Sequence, residues 1–78
     1  MTLYQNLNGD SGVRFYQIEE HGIIVRFADG ATYEYTNFSA GASNITQMKM
    51  LAARGRGLNS FINRFVRKKF SRKLYGVH

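Results

Sequence analysis

Apolar and polar positions alternate most regularly between Ile23 and Thr36, IIVRFADGATYEYT. β-Branched and aromatic residues on either side of an Asp-Gly pair are the strongest short-range signal for a β-hairpin. Two registers are open to it. A two-residue turn at Asp29-Gly30 pairs Arg26 with Tyr33 and Ile24 with Tyr35, since directly opposed residues share a face. A three-residue loop with Gly30 left-handed pairs Phe27 with Ala31, Val25 with Tyr33 and Ile23 with Tyr35. The second register gathers Ile23, Val25, Phe27, Tyr33 and Tyr35 on one face and leaves Arg26, Thr32 and Glu34 on the other. A slip of one residue exchanges the faces, and the second register separates polar from apolar better.

Upstream, VRFYQIE from Val13 to Glu19 predicts a first strand. Its apolar residues do not alternate cleanly, which points to a bulge near Phe15-Tyr16. Glu20-His21-Gly22 makes the turn between strands. Residues 1–12 are rich in Asn, Gly, Ser and Asp and predict a flexible lead-in, with Leu3, Tyr4 and Leu7 docking loosely. Past Ala42 the period changes. Asn44 followed by Gln47 suits a helix start, and Ile45, Met48, Leu51 and Ala52 recur at helical spacing until Gly55 stops them. A second helix is expected from Leu58 to about Leu74, with Asn59 as a cap. Leu58, Phe61, Ile62, Phe65, Val66, Phe70 and Leu74 form its apolar stripe, and Arg64, Lys68 and Arg72 an i, i+4 basic row. The expected fold is α+β: a three-stranded antiparallel β-meander followed by two C-terminal helices packed on one face. One domain spans 13–74, and 75–78 form a flexible tail.

Charge changes this picture. Residues 1–38 hold two basic and all five acidic side chains, a net of −3, whereas residues 39–78 hold nine basic and none acidic, a net of +9 within the chain's +6. A one-signed half attracts polyanions or anionic surfaces. The plain alternative is a solvated helical face. Cysteine is absent, so the chain depends on packing alone, and a core this small supplies only ~3–5 kcal/mol. The N-terminal residues lack signal-peptide character and no apolar run approaches ~18 residues, so a cytoplasmic protein without a membrane span is expected.

Several of these residues fall into a known pattern. Ser11 and Val13, then Val25-x-Phe27-x-x-Gly30, Tyr33-x-Tyr35, and Gly55 with Leu58-Asn59 and Ile62 resemble the KTSC domain. That short module occurs alone in bacteria and at the C-terminus of some lysyl-tRNA synthetases. The likeness covers roughly residues 11–70. Three departures stand out: no proline follows Tyr33-x-Tyr35, Ala53 stands where the family often has serine, and Gly57 stands where an aromatic is usual. The family's function is not established, and RNA binding has been suggested from the synthetase context. The resemblance implies RNA as a partner and supplies no mechanism.

The residues themselves offer a candidate nucleic-acid site. Arg64, Arg67, Lys68 and Arg72 on the second helix could neutralise phosphates, which gives affinity without specificity. Arg54-Gly55-Arg56-Gly57 suits close approach to a phosphate, although an ordinary interhelical turn explains it as well. Tyr33 and Tyr35 are either a stacking platform for bases or core-edge aromatics. Enzymatic chemistry has little to stand on: His21 and His78 have no expected partner, and neither a metal-ligand spacing nor a complete nucleotide-binding fingerprint is present. No cofactor is expected. The reading is a non-enzymatic RNA- or nucleic-acid-binding module. Its alternative is a protein-interaction module that docks an acidic partner or pairs at a sheet edge. Surface attachment to membrane through a 58–74 helix is a weaker third, requiring Phe65 and Phe70 to be exposed.

Overall fold

The structure, a computed structural model, describes every residue except Asn8, Asp10, Ser11 and residues 75–78. The tail assigned to 75–78, His78 and the Ser11 of the family-like opening therefore lie outside the described residues. Among the described residues the fold is α+β, with an antiparallel sheet of five strands in sequence order and three helices. The strands are β1 (Thr2–Leu3), β2 (Val13–Glu19), β3 (Gly22–Phe27), β4 (Thr32–Thr36) and β5 (Arg72–Leu74). Helices α1 (Asn37–Ala40), α2 (Ala42–Arg54) and α3 (Leu58–Phe61) follow β4, and α3 runs on into a π-helical turn, Ile62–Val66.

The central hairpin takes the second register. Val25 opposes Tyr33 and Ile23 opposes Tyr35. The loop closes through the Phe27 and Gly30 amides, which donate to Ala31 O and Phe27 O, with Gly30 at φ +90°. Asp29 Oδ1 accepts from the Ala31 N–H at 3.0 Å and fixes the loop further. The bulge in β2 falls between Val13 and Phe15, one residue before its expected place.

Helices cover one face of this sheet. Ile23, Val25 and Tyr35 are buried there with Ile45, Met48 and Ala52 of α2 and with Leu58, Ile62 and Val66 of the third helical segment. Arg26, Thr32 and Glu34 point the other way.

Two expectations about the ends of the sheet need correction. Residues 2–4 are part of the domain and not a lead-in to it: Thr2 and Leu3 pair with Tyr16 and Phe15, and Tyr4 is buried. Leu3 and Leu7 remain exposed. At the other end, the second helix does not reach Leu74. It ends at Val66, the chain reverses, and Arg72–Leu74 pair with β4, Lys73 opposite Tyr33 and Arg72 opposite Glu34. Continuing the helix would have stacked Arg64, Lys68 and Arg72 at i, i+4 spacing, and like charges at that spacing oppose helix formation. Leaving it satisfies the open edge of β4 and lets the Ser71 N–H donate to Glu34 O at 2.6 Å. The three-stranded meander thus becomes five strands.

Helix caps also differ from expectation. Asn44 lies inside α2, its amide donating to Ala40 O, and the N-cap is Gly41. The reciprocal capping box is Thr36 with Ser39, one element earlier, at 3.1 and 3.0 Å. Asn59 does not cap α3 either. Its N-cap is Gly57, and the Leu58 N–H donates to the Tyr4 hydroxyl at 3.2 Å. Gly55 does end α2, left-handed at φ +79°.

Candidate nucleic-acid interface

Three walls line an open cavity of about 460 Å³ on the helix-covered side of the sheet. The β3–β4 loop contributes Phe27, Ala28, Asp29 and Ala31, and β4 contributes Tyr33 and Tyr35. The π-helical turn and the reversal after it contribute Ile62, Asn63, Arg67 and Phe70. Strand alternation decides which β4 residues face it. Tyr33 and Tyr35 share the face of Val25 and Ile23, so both rings turn inward while Glu34 turns out.

The rings form a continuous aromatic lining. Tyr33 lies 4.8 Å from Phe70 at an interplanar angle of 47°, and 5.9 Å from Phe27 edge-on. Phe70 also meets Tyr35 edge-on at 6.4 Å. Such tilted and T-shaped pairs suit the ring quadrupoles. Tyr35 is the buried floor, and burial pushes its hydroxyl up to about 12, with Tyr33 adding to the shift. Tyr35 is therefore a core residue, which removes it as a stacking surface. Tyr33 is half-buried at the cavity.

Basic residues divide between the two faces of the sheet. Arg67 lines the cavity, and Lys73 Nζ stands 5.5 Å from the centre of the Tyr33 ring. Arg64 lies beside Arg67 on the same segment, its guanidinium 5.7 Å over Phe65. Lys68 follows it, exposed like Arg64 and Arg67. Arg54 and Arg56 are exposed too, flanking Gly55 at the end of α2.

Arg72 departs from this group. It belongs to β5, and its Nε donates to Glu34 Oε1 at 2.7 Å, on the face that the helices leave open. The Arg72 hydrogen bond holds the Glu34 carboxyl below its ordinary range, whereas burial and the neighbouring Glu34 raise that of Glu19. Arg72 is thus an ion-pair partner at the sheet edge and is not part of the basic helix.

Phe27, Asn63, Phe70 and Lys73 were not singled out as site residues from the sequence. Phe27 was within reach, because the register that sets Val25 opposite Tyr33 makes Phe27 its diagonal neighbour. Phe70 and Lys73 were hidden by the continuous helical pattern through residue 74. Phe65, placed in the apolar stripe, is 52% exposed and stacks on Phe61 at 4.8 Å. Among the described residues, no group of three or more His, Cys, Asp or Glu side chains could hold a metal ion, and no helix is long and apolar enough to cross a membrane.

These features define a small α+β domain with an aromatic cavity beside an exposed basic helix end. Compared with protein-family models, with curated proteins and with solved structures, the chain matches none. Of the residues set apart in the sequence, Tyr33 and Tyr35 lie on the inward face of β4, Gly55 ends α2, and Leu58 and Ile62 are buried.

Proposed function

We propose that this protein is a non-enzymatic RNA-binding module of the KTSC type, holding a single strand by its phosphates along Arg54, Arg56, Arg64, Arg67 and Lys68. The observation that carries the reading is the place of Arg67, an exposed arginine that lines the aromatic cavity, with the exposed Arg64 and Lys68 close to it in the chain. Solubility alone explains exposed cations, but not an arginine set beside half-buried rings that could accept a base. Arg72 drops out of the set, because Glu34 already engages its guanidinium on the other face.

Five phosphate contacts on a single strand give a log–log salt slope of about −3.5. Fluorescence anisotropy of labelled single-stranded and hairpin RNA, at two or more salt concentrations, measures it. Arg64→Glu with Lys68→Glu should abolish most low-salt affinity, while Arg72→Gln should leave it within about twofold. Unchanged affinity in the Glu double variant would defeat the reading. A Glu-rich peptide run alongside tests the alternative of an acidic protein partner: if the peptide binds with equal strength and the RNA does not, the partner is a protein.

A further inference from the structure

We infer that the cavity captures one unstacked nucleobase of the bound strand, with the adjoining phosphate held by Arg67. This deepens the RNA-binding reading and rests on it.

Size and lining argue for this occupant. At about 460 Å³ the cavity lies within the ~300–1,000 Å³ of small-molecule sites. That volume has room for a single nucleoside. Its apolar surface is chiefly aromatic: the half-buried rings of Phe27, Tyr33 and Phe70 stand around the buried Tyr35. Base–aromatic stacking tolerates any base, because every base has a π-face.

The polar groups at the cavity fit the remainder of a nucleotide. Arg67 supplies a planar fork of donors, the geometry that matches phosphate. The hairpin wall carries Asp29, whose Oδ1 is occupied by the Ala31 N–H. A carboxylate on that wall repels phosphate and accepts base N–H groups. The nucleotide therefore enters with its base towards the β3–β4 loop and its phosphate towards the helix end. An RNA base can be splayed into such a site only from a single strand, loop or bulge.

The test compares a labelled single-stranded oligoribonucleotide with a sugar–phosphate oligomer of equal length that lacks bases. Both are titrated against the full chain and against a variant carrying Ala28→Leu and Asn63→Leu. Those two positions are exposed and line the cavity, so the added aliphatic groups obstruct it without disturbing the core. Thermal melting verifies that the variant folds. Phe70→Ala, which removes one ring, is a second probe.

The native chain should bind the base-bearing strand about five- to 150-fold more tightly than the baseless one, the factor for one stacked base at ~1–3 kcal/mol. The obstructed variant should lose that preference and keep the salt-dependent binding common to both oligomers. Equal affinities of the native chain for the two oligomers would overturn base capture and leave the phosphate-binding reading standing. A preference that survives in the obstructed variant would place the bases elsewhere and overturn the assignment of this cavity. Failure of both oligomers to bind at low salt would overturn the RNA-binding reading and, with it, base capture.

Discussion

Removing one oxygen atom, in Tyr4→Phe, should destabilise this protein far more than its place near the chain terminus suggests. The Tyr4 hydroxyl accepts the Leu58 N–H across 54 residues of sequence, and both residues are buried. The first amides of a helix have no partner within it, and the N-cap of α3, Gly57, has no side chain to offer one. Phenylalanine keeps the ring packing but strands the buried Leu58 N–H without its acceptor. An orphaned buried donor costs about 1–3 kcal/mol. A chain of this length has a total stability of only about 4–12 kcal/mol. Each kcal/mol lowers Tm by roughly 4–8 °C in a domain of this size, so a fall of about 5–20 °C is expected. Tyr4→Ala also removes the ring, at about 3–5 kcal/mol for a large aromatic, and should leave much of the population unfolded. Urea and thermal denaturation followed by circular dichroism give the numbers, and hydrogen exchange at the Leu58 amide locates the effect. A Tyr4→Phe variant within about 0.5 kcal/mol of the parent, with Leu58 still protected, would refute the capping argument.

Three further outcomes follow from local geometry. Gly22→Ala should cost roughly 1–3 kcal/mol in urea denaturation, because its Cβ would meet the Tyr35 carbonyl oxygen at less than contact distance, in a strand that cannot move aside. Thr36→Ala removes the acceptor that caps the Ser39 N–H and should lower stability by about 1 kcal/mol by the same assay. The dependence of stability on pH should have two limbs. The carboxyl of Glu19 titrates above its unfolded value of 4.5, so its penalty in the folded state is relieved as pH falls from neutral towards that value. The carboxyl of Glu34 titrates lower in the fold, so its stabilising pair with Arg72 is present above pH 4.5 and lost as pH falls through its folded value. Stability from this pair therefore peaks near pH 4.5, each limb amounting to no more than about 1 kcal/mol at this part-exposed site. Glu34→Gln should flatten both limbs in denaturation measured from pH 3 to 7, and unchanged limbs would show that other groups produce them.

The parts of the fold legible in the sequence are those where one physical requirement dominates. The register of the β3–β4 hairpin followed from segregating Ile23, Val25, Phe27, Tyr33 and Tyr35 from Arg26, Thr32 and Glu34. Core formation leaves no second choice of that quality. The end of α2 at Gly55 was legible for a similar reason, since a left-handed residue with a side chain costs ~1–2 kcal/mol. Where two local patterns competed, the sequence misled. Asn44 with Gln47 resembles a helix start, yet the Thr36–Ser39 box begins the helical region eight residues earlier. Tyr4 was expected only to dock loosely, because its full burial depends on the position of Leu58, far along the chain.

The 62, 66, 70, 74 spacing was the most consequential misreading, and the fold shows what replaced it. A helix through Leu74 would hold Arg64, Lys68 and Arg72 on one face, a single basic ridge. The reversal after Val66 exchanges a 3.6-residue period for a two-residue one. In β5, neighbours then point to opposite faces: Arg72 reaches Glu34 on the open face, and Lys73 reaches Tyr33 on the covered one. The same reversal brings Phe70 to within 4.8 Å of Tyr33. Ending the helix thus removes one arginine from the basic ridge, but it adds an aromatic wall to the cavity. A longer helix would have made a better polyelectrolyte surface. The shorter one sets Arg67 and the rings of Tyr33 and Phe70 around one cavity, a conjunction of charge and aromatic surface that net charge alone does not describe.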